Sequence, residues 1–224
     1  MEQIELQRDV LDHSNRVGYE NSDLFARKGI FVLNLMSSPG AGKTTLLERT
    51  IELLKGKYGI GVIEGDIATT IDADRIGAHG VAVTQINTGG ACHLDSGMIR
   101  NALKDLDLDR IDLLIIENVG NLVCPAEFFL GEDAKVVILS VTEGEDKPLK
   151  YPLIFRLATA LVINKVDLLP YIDCSVPGII RDATSINSSL TIFETSCTGR
   201  QGLDAWAAWL EGEIHKKKKT GLNT

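Results

Sequence analysis

Cysteine is scarce in this chain and widely spaced: Cys92, Cys124, Cys174 and Cys197 are the only four in 224 residues. That excludes a dense disulfide framework and leaves each as either a buried apolar side chain or a metal ligand. No apolar stretch approaches the roughly 20 residues that cross a bilayer, so a membrane partner is not expected. The sequence shows no basic, apolar, small-residue leader, and a cytoplasmic protein is the expectation. Positive charge is also in short supply. Lys and Arg total 23 against 31 Asp and Glu, a formal −8, and a field of that sign repels nucleic acid. Only Lys216–Lys219 run the other way, and such a run reads as a solvated, frayed helix end. Internal repeats and low-complexity linkers are absent as well, so one domain is the natural reading of the length.

What is present is ordinary for a soluble fold: 44% hydrophobic and 24% charged residues, with 21 Gly and 6 Pro, which excludes wholesale disorder. The first 27 or so residues set Ile4, Leu6, Val10, Leu11, Val17 and Leu24 among charges, the pattern of an amphipathic helix. The expected division is a helical extension over 1–28 packed on a domain over 29–224. Short apolar runs then follow at Phe31–Met36, Gly61–Glu64, Val81–Ile86, Leu113–Glu117, Val136–Val141, Leu161–Asn164 and Thr191–Phe193. Their near-continuous Val, Ile and Leu content predicts strands buried on both faces. Helical stretches such as Thr44–Leu54, Leu94–Leu106 and Leu203–Lys217 lie between them. The alternation predicts an α/β fold with a doubly wound, mainly parallel sheet, whose ligands sit beyond the carboxyl ends of the strands.

The first such loop reads Ser37, Ser38, Pro39, Gly40, Ala41, Gly42, Lys43, Thr44, Thr45 and runs straight into a helical pattern. Strand, glycine loop and helix together are the context of a phosphate-binding loop. Gly40, Ala41 and Gly42 let backbone N–H groups curl around phosphates, Lys43 reaches the β and γ groups, Thr44 offers a hydroxyl to Mg²⁺, and Thr45 follows in the first helical turn. Ser37 stands where the usual motif has its first glycine, which alters the turn into the loop but none of the phosphate-facing groups.

Asn164, Lys165, Val166 and Asp167 follow a later strand. A carboxylate at Asp167 can accept from both the ring N–H and the exocyclic amine of guanine, a donor pair adenine lacks, while the Lys165 stem lies along the base. The stretch Glu194–Gly199 comes after the last strand, and Ser196 and Cys197 are placed to meet the purine through their backbone. The expected ligand is therefore GTP or GDP.

Hydrolysis needs sensors of the γ-phosphate. Glu117, Asn118, Val119 and Gly120 end a strand where Asp-x-x-Gly is usual; Glu117 still supplies a carboxylate towards Mg²⁺ and Gly120 an N–H towards the γ-phosphate. The earlier sensor is expected at Glu64, Gly65 and Asp66, with Asp66 binding Mg²⁺ or positioning the attacking water. Asp72 and Asp74 read as solvated helix-start residues.

Cys92 and His93 are adjacent, and Cys124 lies just past Glu117. Both segments leave strands on the nucleotide side. Two thiolates and an imidazole suit Zn²⁺ or Ni²⁺ rather than Mg²⁺ or Ca²⁺. Their spacing is too loose to be a metal motif by itself, and scattered Cys and His residues also serve as packing.

Together the segments SSPGAGKTT at 37–45, EGD at 64–66, TGGACHL at 88–94, ENVGNLVCP at 117–125, EGEDKPLKYP at 143–152 and NKVD at 164–167 resemble a known family, the hydrogenase nickel-incorporation GTPases called HypB. The resemblance implies a GTP hydrolase of the SIMIBI class of P-loop GTPases, a GTP-dependent homodimer, and Ni²⁺ or Zn²⁺ held at the subunit interface by Cys92, His93 and Cys124. It further implies nickel delivery in the maturation of nickel–iron hydrogenase, with the nickel chaperone HypA as partner and the hydrogenase large subunit as client. Some members carry an N-terminal cysteine-rich or histidine-rich tract; here no Cys precedes Cys92 and only His13 lies in the extension. Two other readings fit the same residues: a nickel buffer in which nucleotide is a structural ligand, and a urease-type nickel-delivery GTPase.

Overall fold

The structure is a computed structural model describing residues 2–66 and 71–221, with side chains over 14–65 and 71–220. In chain order the elements are α1 (Glu2–Lys28), β1 (Phe31–Ser37), α2 (Lys43–Leu54), β2 (Ile60–Asp66), α3 (Ile71–Gly77), β3 (Ala82–Asn87), α4 (Ser96–Ala102), β4 (Leu113–Glu117), α5 (Cys124–Glu127) and β5 (Ala134–Ser140). There follow α6 (Lys147–Lys150), α7 (Pro152–Leu157), β6 (Ala160–Asn164), α8 (Val176–Ile186), β7 (Thr191–Thr195) and α9 (Leu203–Gly221).

Among the described residues the strands form one 7-stranded sheet in the order β3-β2-β4-β1-β5-β6-β7. Every pairing is parallel. β1 is central, with Phe31 opposite Leu113 and Leu35 opposite Glu117 on one side, and Ser37 opposite Ile138 on the other. Side chains alternate across the sheet. Phe31, Leu33 and Leu35 join Leu46, Leu47, Ile51 and Trp206 under α2 and α9. On the opposite face Val32 packs with Phe25 of α1 and Ile99 of α4, and Met36 with Phe155 and Ile179 of α7 and α8. Covering both faces is what turned the central strands into near-unbroken Val, Ile and Leu runs, whereas the edge strands β3 and β7, expected to be buried on both faces, are only partly covered. Each fully buried Leu or Ile side chain contributes roughly 1.5–3 kcal/mol to that packing.

α1 packs on the body of the fold through polar as well as apolar contacts. Asn21 donates to the carbonyls of Ser96 and Leu130 at 3.0 and 3.1 Å, and Phe25 is fully buried. The expected helix over 94–106 is shorter: Asp95 accepts the Met98 N–H at 2.8 Å as the N-cap, which sets the start at Ser96, and Leu103–Asp105 tighten into a 3₁₀ turn. The lysine run is not a frayed end. α9 continues through it, Lys217 is largely buried and pairs with Asp133, and Lys218 pairs with Asp112 at 2.7 Å. These carboxylates lie where β4 and β5 begin, so helix and sheet supply opposite charges.

Candidate functional site

The glycine loop leaves the carboxyl end of β1 and enters α2. Gly42 caps that helix with φ 99°, in the left-handed region that favours glycine. A Cβ there would stand 2.5 Å from the Asn164 side-chain nitrogen. The packing is tight because Asn164, buried at the end of β6, donates to the Ala41 carbonyl at 3.0 Å. Its other atom, Oδ1, accepts from the Thr195 hydroxyl at 3.2 Å and the Cys197 thiol at 3.4 Å. Asn164 therefore fastens the loop to β6 and β7. Lys165 adopts φ 63°, and its ammonium donates to the Gly40 carbonyl at 2.7 Å.

Two adjoining cavities open around this loop. The larger, about 510 Å³, is lined by Gly40, Gly42, Lys43, Thr44, Thr45, Glu64, Asp72, Arg75, Glu117, Gly120 and Lys165, among others. The smaller, about 190 Å³, is lined by Gly42, Thr45, Asn164, Lys165, Asp167, Cys197 and Thr198. Sequence-identified phosphate and base groups thus fall into neighbouring compartments. Asp167 is exposed at the rim. Ser196 does not line the base compartment; its hydroxyl accepts the Gly199 N–H at 2.8 Å and folds the loop. Thr198 lines it instead, a residue the sequence reading passed over within the same stretch. Asp72 lies in the first turn of α3 and stays partly open to solvent, as expected, but it also lines the phosphate compartment; Asp74 is exposed. Arg75 lines it too, and no short motif marks it. The Asp66 side chain and the loop after it lie outside the described residues.

Charge in the phosphate compartment is concentrated and desolvated. Burial pulls the Lys43 ammonium below its ordinary range, opposed by the carboxylates of Glu117, Asp72 and Glu64; its Nζ donates to the Ser37 hydroxyl at 3.0 Å. Burial pushes Glu117 up to about 7, against the pull of Lys43 and of the Thr44 hydroxyl. That hydroxyl donates to one Glu117 oxygen at 2.8 Å, and the other, Oε2, is buried without a hydrogen-bond partner. An orphaned carboxylate oxygen beside a threonine hydroxyl is a donor set that fits a hard divalent cation.

Outside that compartment, Cys92, His93 and Cys124 bring one ligand atom each within 4.8 Å of one another. They come from the loop between β3 and α4 and from the first residue of α5. The Cys92 sulfur lies 3.5 Å from His93 Nδ1, and the imidazole stacks on Phe128 with centroids 3.8 Å apart. A hydrogen bond with Cys124, then burial, raises the Cys92 thiol above its usual range. Burial lowers His93 below the usual imidazole range, opposed by the carboxylate of Asp95. Two bonds tie this cluster to the loop after β4. The Leu94 N–H donates to Asn118 Oδ1 at 3.2 Å, and the Asn121 amide donates to the Cys92 carbonyl at 3.3 Å. Asn118 is in turn held by Asn34 of β1 at 3.2 Å.

A parallel sheet with a glycine loop after its central strand, and a lysine and threonine at the helix start facing a cavity, defines a P-loop nucleotide-binding protein. Comparison with known proteins narrows the class. Residues 31–194 match the CobW/HypB/UreG nucleotide-binding domain family. The hydrogenase maturation factor HypB of Escherichia coli K12 is 52% identical over 208 residues, covering 93% of this chain and 72% of that protein. A crystal structure of HypB from Helicobacter pylori in complex with nickel superposes with a TM-score of 0.87 at 39% identity, covering 92% of this chain and 97% of that one. The Archaeoglobus fulgidus HypB structure gives 0.85 at 39% identity, over 91% and 99%. The chain belongs to the HypB branch of the CobW/HypB/UreG family.

Proposed function

We propose that this chain hydrolyses GTP and uses the nucleotide cycle to bind and deliver nickel during maturation of nickel–iron hydrogenase. The observation carrying the proposal is the bond from the Leu94 N–H to Asn118 Oδ1, because it joins the thiol–imidazole cluster to the strand end that carries Glu117. Sequence similarity to proteins named as hydrogenase maturation factors supports the client. Among the described residues no helix is long and apolar enough to cross a membrane.

In the hydrolytic step Lys43 and the glycine-loop N–H groups bind the β and γ phosphates, and Asp167 holds guanine. Thr44 and Glu117, with Asp66 as a further candidate, would hold Mg²⁺, which supplies charge neutralisation between the phosphates. Gly120 presents its N–H to the γ-phosphate; Pro39 packs so close that a Cβ at Gly120 would meet it at 3.0 Å. Release of that phosphate frees the loop from Gly120 onward, and Cys124 and Asn121 lie on it. Nickel is the cargo, bound by Cys92, His93 and Cys124 with Zn²⁺ as competitor. Three ligands leave a tetrahedral ion one short, and a second copy can complete it. Exposure of Val123 beside Cys124, and of Leu149, Leu153 and Leu157, supports a homodimer formed in the GTP state. A nickel chaperone of the HypA kind is the proposed partner, and the helical extension over 1–28 and the domain over 29–224 are kept as the proposed division.

The test is a Ni²⁺ titration of the protein loaded with GDP and with a non-hydrolysable GTP analogue. Different affinities are expected, and by linkage nickel shifts nucleotide affinity by the same factor. Equal affinities in both states would make the protein a nickel buffer with nucleotide as structural ligand. Phosphate release lost in Lys43→Ala is expected alongside.

A further inference from the structure

We propose that Arg75 is a catalytic residue acting within its own chain, a guanidinium that meets the γ-phosphoryl group as GTP is hydrolysed. This rests on the GTPase reading above.

Three cations line the phosphate compartment among the described residues: Lys43, Lys165 and Arg75. Lys43 belongs to the glycine loop and Lys165 is spent on the Gly40 carbonyl. Arg75 reaches in from α3. Its Nη2 donates to Glu48 at 2.7 Å and its Nη1 to Asp72 at 2.9 Å. Glu48 lies one helical turn beyond Thr44 on the same face of α2, so the guanidinium is delivered to the side of the helix that carries the Thr44 hydroxyl. Its field reaches Glu117, whose charged form it favours.

A purely structural role explains little of this. The Arg75 side chain is 43% exposed, and ion pairs that open to solvent are worth about 0–1 kcal/mol. α3 is already anchored by Ile76, which is fully buried in the core under α2. The two ion pairs use two of the five guanidinium N–H donors, and the others can serve a planar, bidentate contact to phosphate oxygens. Asp72 is the partner to be given up. It lines the compartment, and its carboxylate would repel an incoming triphosphate unless the guanidinium stood between them. Glu48 can keep its bond while the fork turns to the phosphate.

In the step itself a water oxygen bonds to the γ-phosphorus as the bond to the β–γ bridging oxygen breaks. GDP keeps the electron pair, and inorganic phosphate or solvent takes the water proton. Arg75 makes no covalent bond; it stabilises negative charge that spreads over the equatorial and bridging oxygens.

Single-turnover hydrolysis, GDP affinity and binding of GDP with aluminium fluoride are measured on the full chain for wild type, Arg75→Ala and Arg75→Lys, with thermal melting of each. Arg75→Ala is expected to lose roughly 10²–10³-fold in rate, to keep its GDP affinity, and to lose the fluoride-dependent tightening. Arg75→Lys, a point charge without the fork, recovers little, and free guanidinium restores part of the alanine rate. Alanine and wild-type rates that agree overturn this inference alone. So does a rate loss accompanied by an equal loss of GDP affinity and a lowered melting temperature, which marks a clamp between α2 and α3. A wild type that binds GTP without hydrolysing it overturns the parent reading and this one with it.

Discussion

Asn118 Oδ1 accepts the backbone N–H of Leu94 at 3.2 Å, inside the core and next to both a phosphate-facing carboxylate and a pair of thiols. The same oxygen accepts the Val119 N–H at 3.0 Å. One side chain thus sets the backbone on both sides of the site. Asn118→Ala leaves the Leu94 N–H buried without a partner, at a cost of about 1–3 kcal/mol in unfolding free energy. Nickel affinity should then lose its dependence on whether GDP or a GTP analogue is bound. Denaturant melts and paired nickel titrations read the two effects, and coupling that survives in the variant would locate it elsewhere.

Glu117 should make the nucleotide-free, metal-free protein less stable as pH rises. Its folded pKa is raised by burial to about 7, so the stability tied to its proton is full below the unfolded value near 4.5. It is lost as pH climbs through 7, by up to roughly 3 kcal/mol. Glu117→Gln should therefore melt higher than wild type at pH 8, approach it at pH 5, and lose Mg²⁺-dependent turnover. A wild-type melting temperature that rises between pH 5 and 8 while the variant's stays flat would contradict the burial argument.

Asp167→Ala should weaken GTP roughly ten- to a hundredfold, the worth of a lost hydrogen-bonded charge contact, and leave ATP binding where it was. Competition of unlabelled GTP and ATP for a fluorescent guanine nucleotide measures it. An equal loss for both nucleotides would mean that the residue shapes the loop rather than reading the base.

Cys92 and Cys124 should part from Cys197 on alkylation at pH 8. Cys92 is exposed and Cys124 partly so, so both should be open to reagent in the folded protein and be protected by stoichiometric Ni²⁺. Cys197 is buried, and desolvation pushes its thiol up to about 11, so it has little thiolate to react until the protein unfolds. Peptide mapping after timed labelling resolves the order. Rapid modification of Cys197 in folded protein would refute its place against Asn164.

The strands and the glycine loop were legible because each is written in adjacent residues: a run such as Leu113–Glu117 carries its own burial pattern, and Ser37–Thr45 its own turn chemistry. Element ends were less so, as at Ser96, where a single aspartate cap outweighs the apolar periodicity that runs on from Leu94. The convergence of Cys92 and His93 with Cys124 could be suspected from strand ends but not measured, since the distance depends on β3 and β4 each pairing with β2. Arg75 with Glu48, and Asn164 with Ala41, left no local trace, for each is a contact between elements far apart in the chain. The lysines of α9 misled for the same reason. Their partners Asp112 and Asp133 lie at the starts of strands, and a run of like charge shows only its repulsion until those partners are in view.

The strand order has a consequence for how the chain reaches this state. Phe31 of β1 sits opposite Leu113 of β4, so the central strand emerges from the ribosome long before its partner on that side exists, and β2 and β3 have no place to dock until β4 arrives. Parallel pairings of such separation form slowly, because the loop entropy is spent before the contacts reward it. Until then the glycine loop hangs from a strand with bare edges. A nascent chain of this kind would need shielding through most of its synthesis, and its ability to hold a nucleotide should appear late, only after β4 has closed the centre of the sheet and β6 has brought Asn164 and Asp167 to the glycine loop.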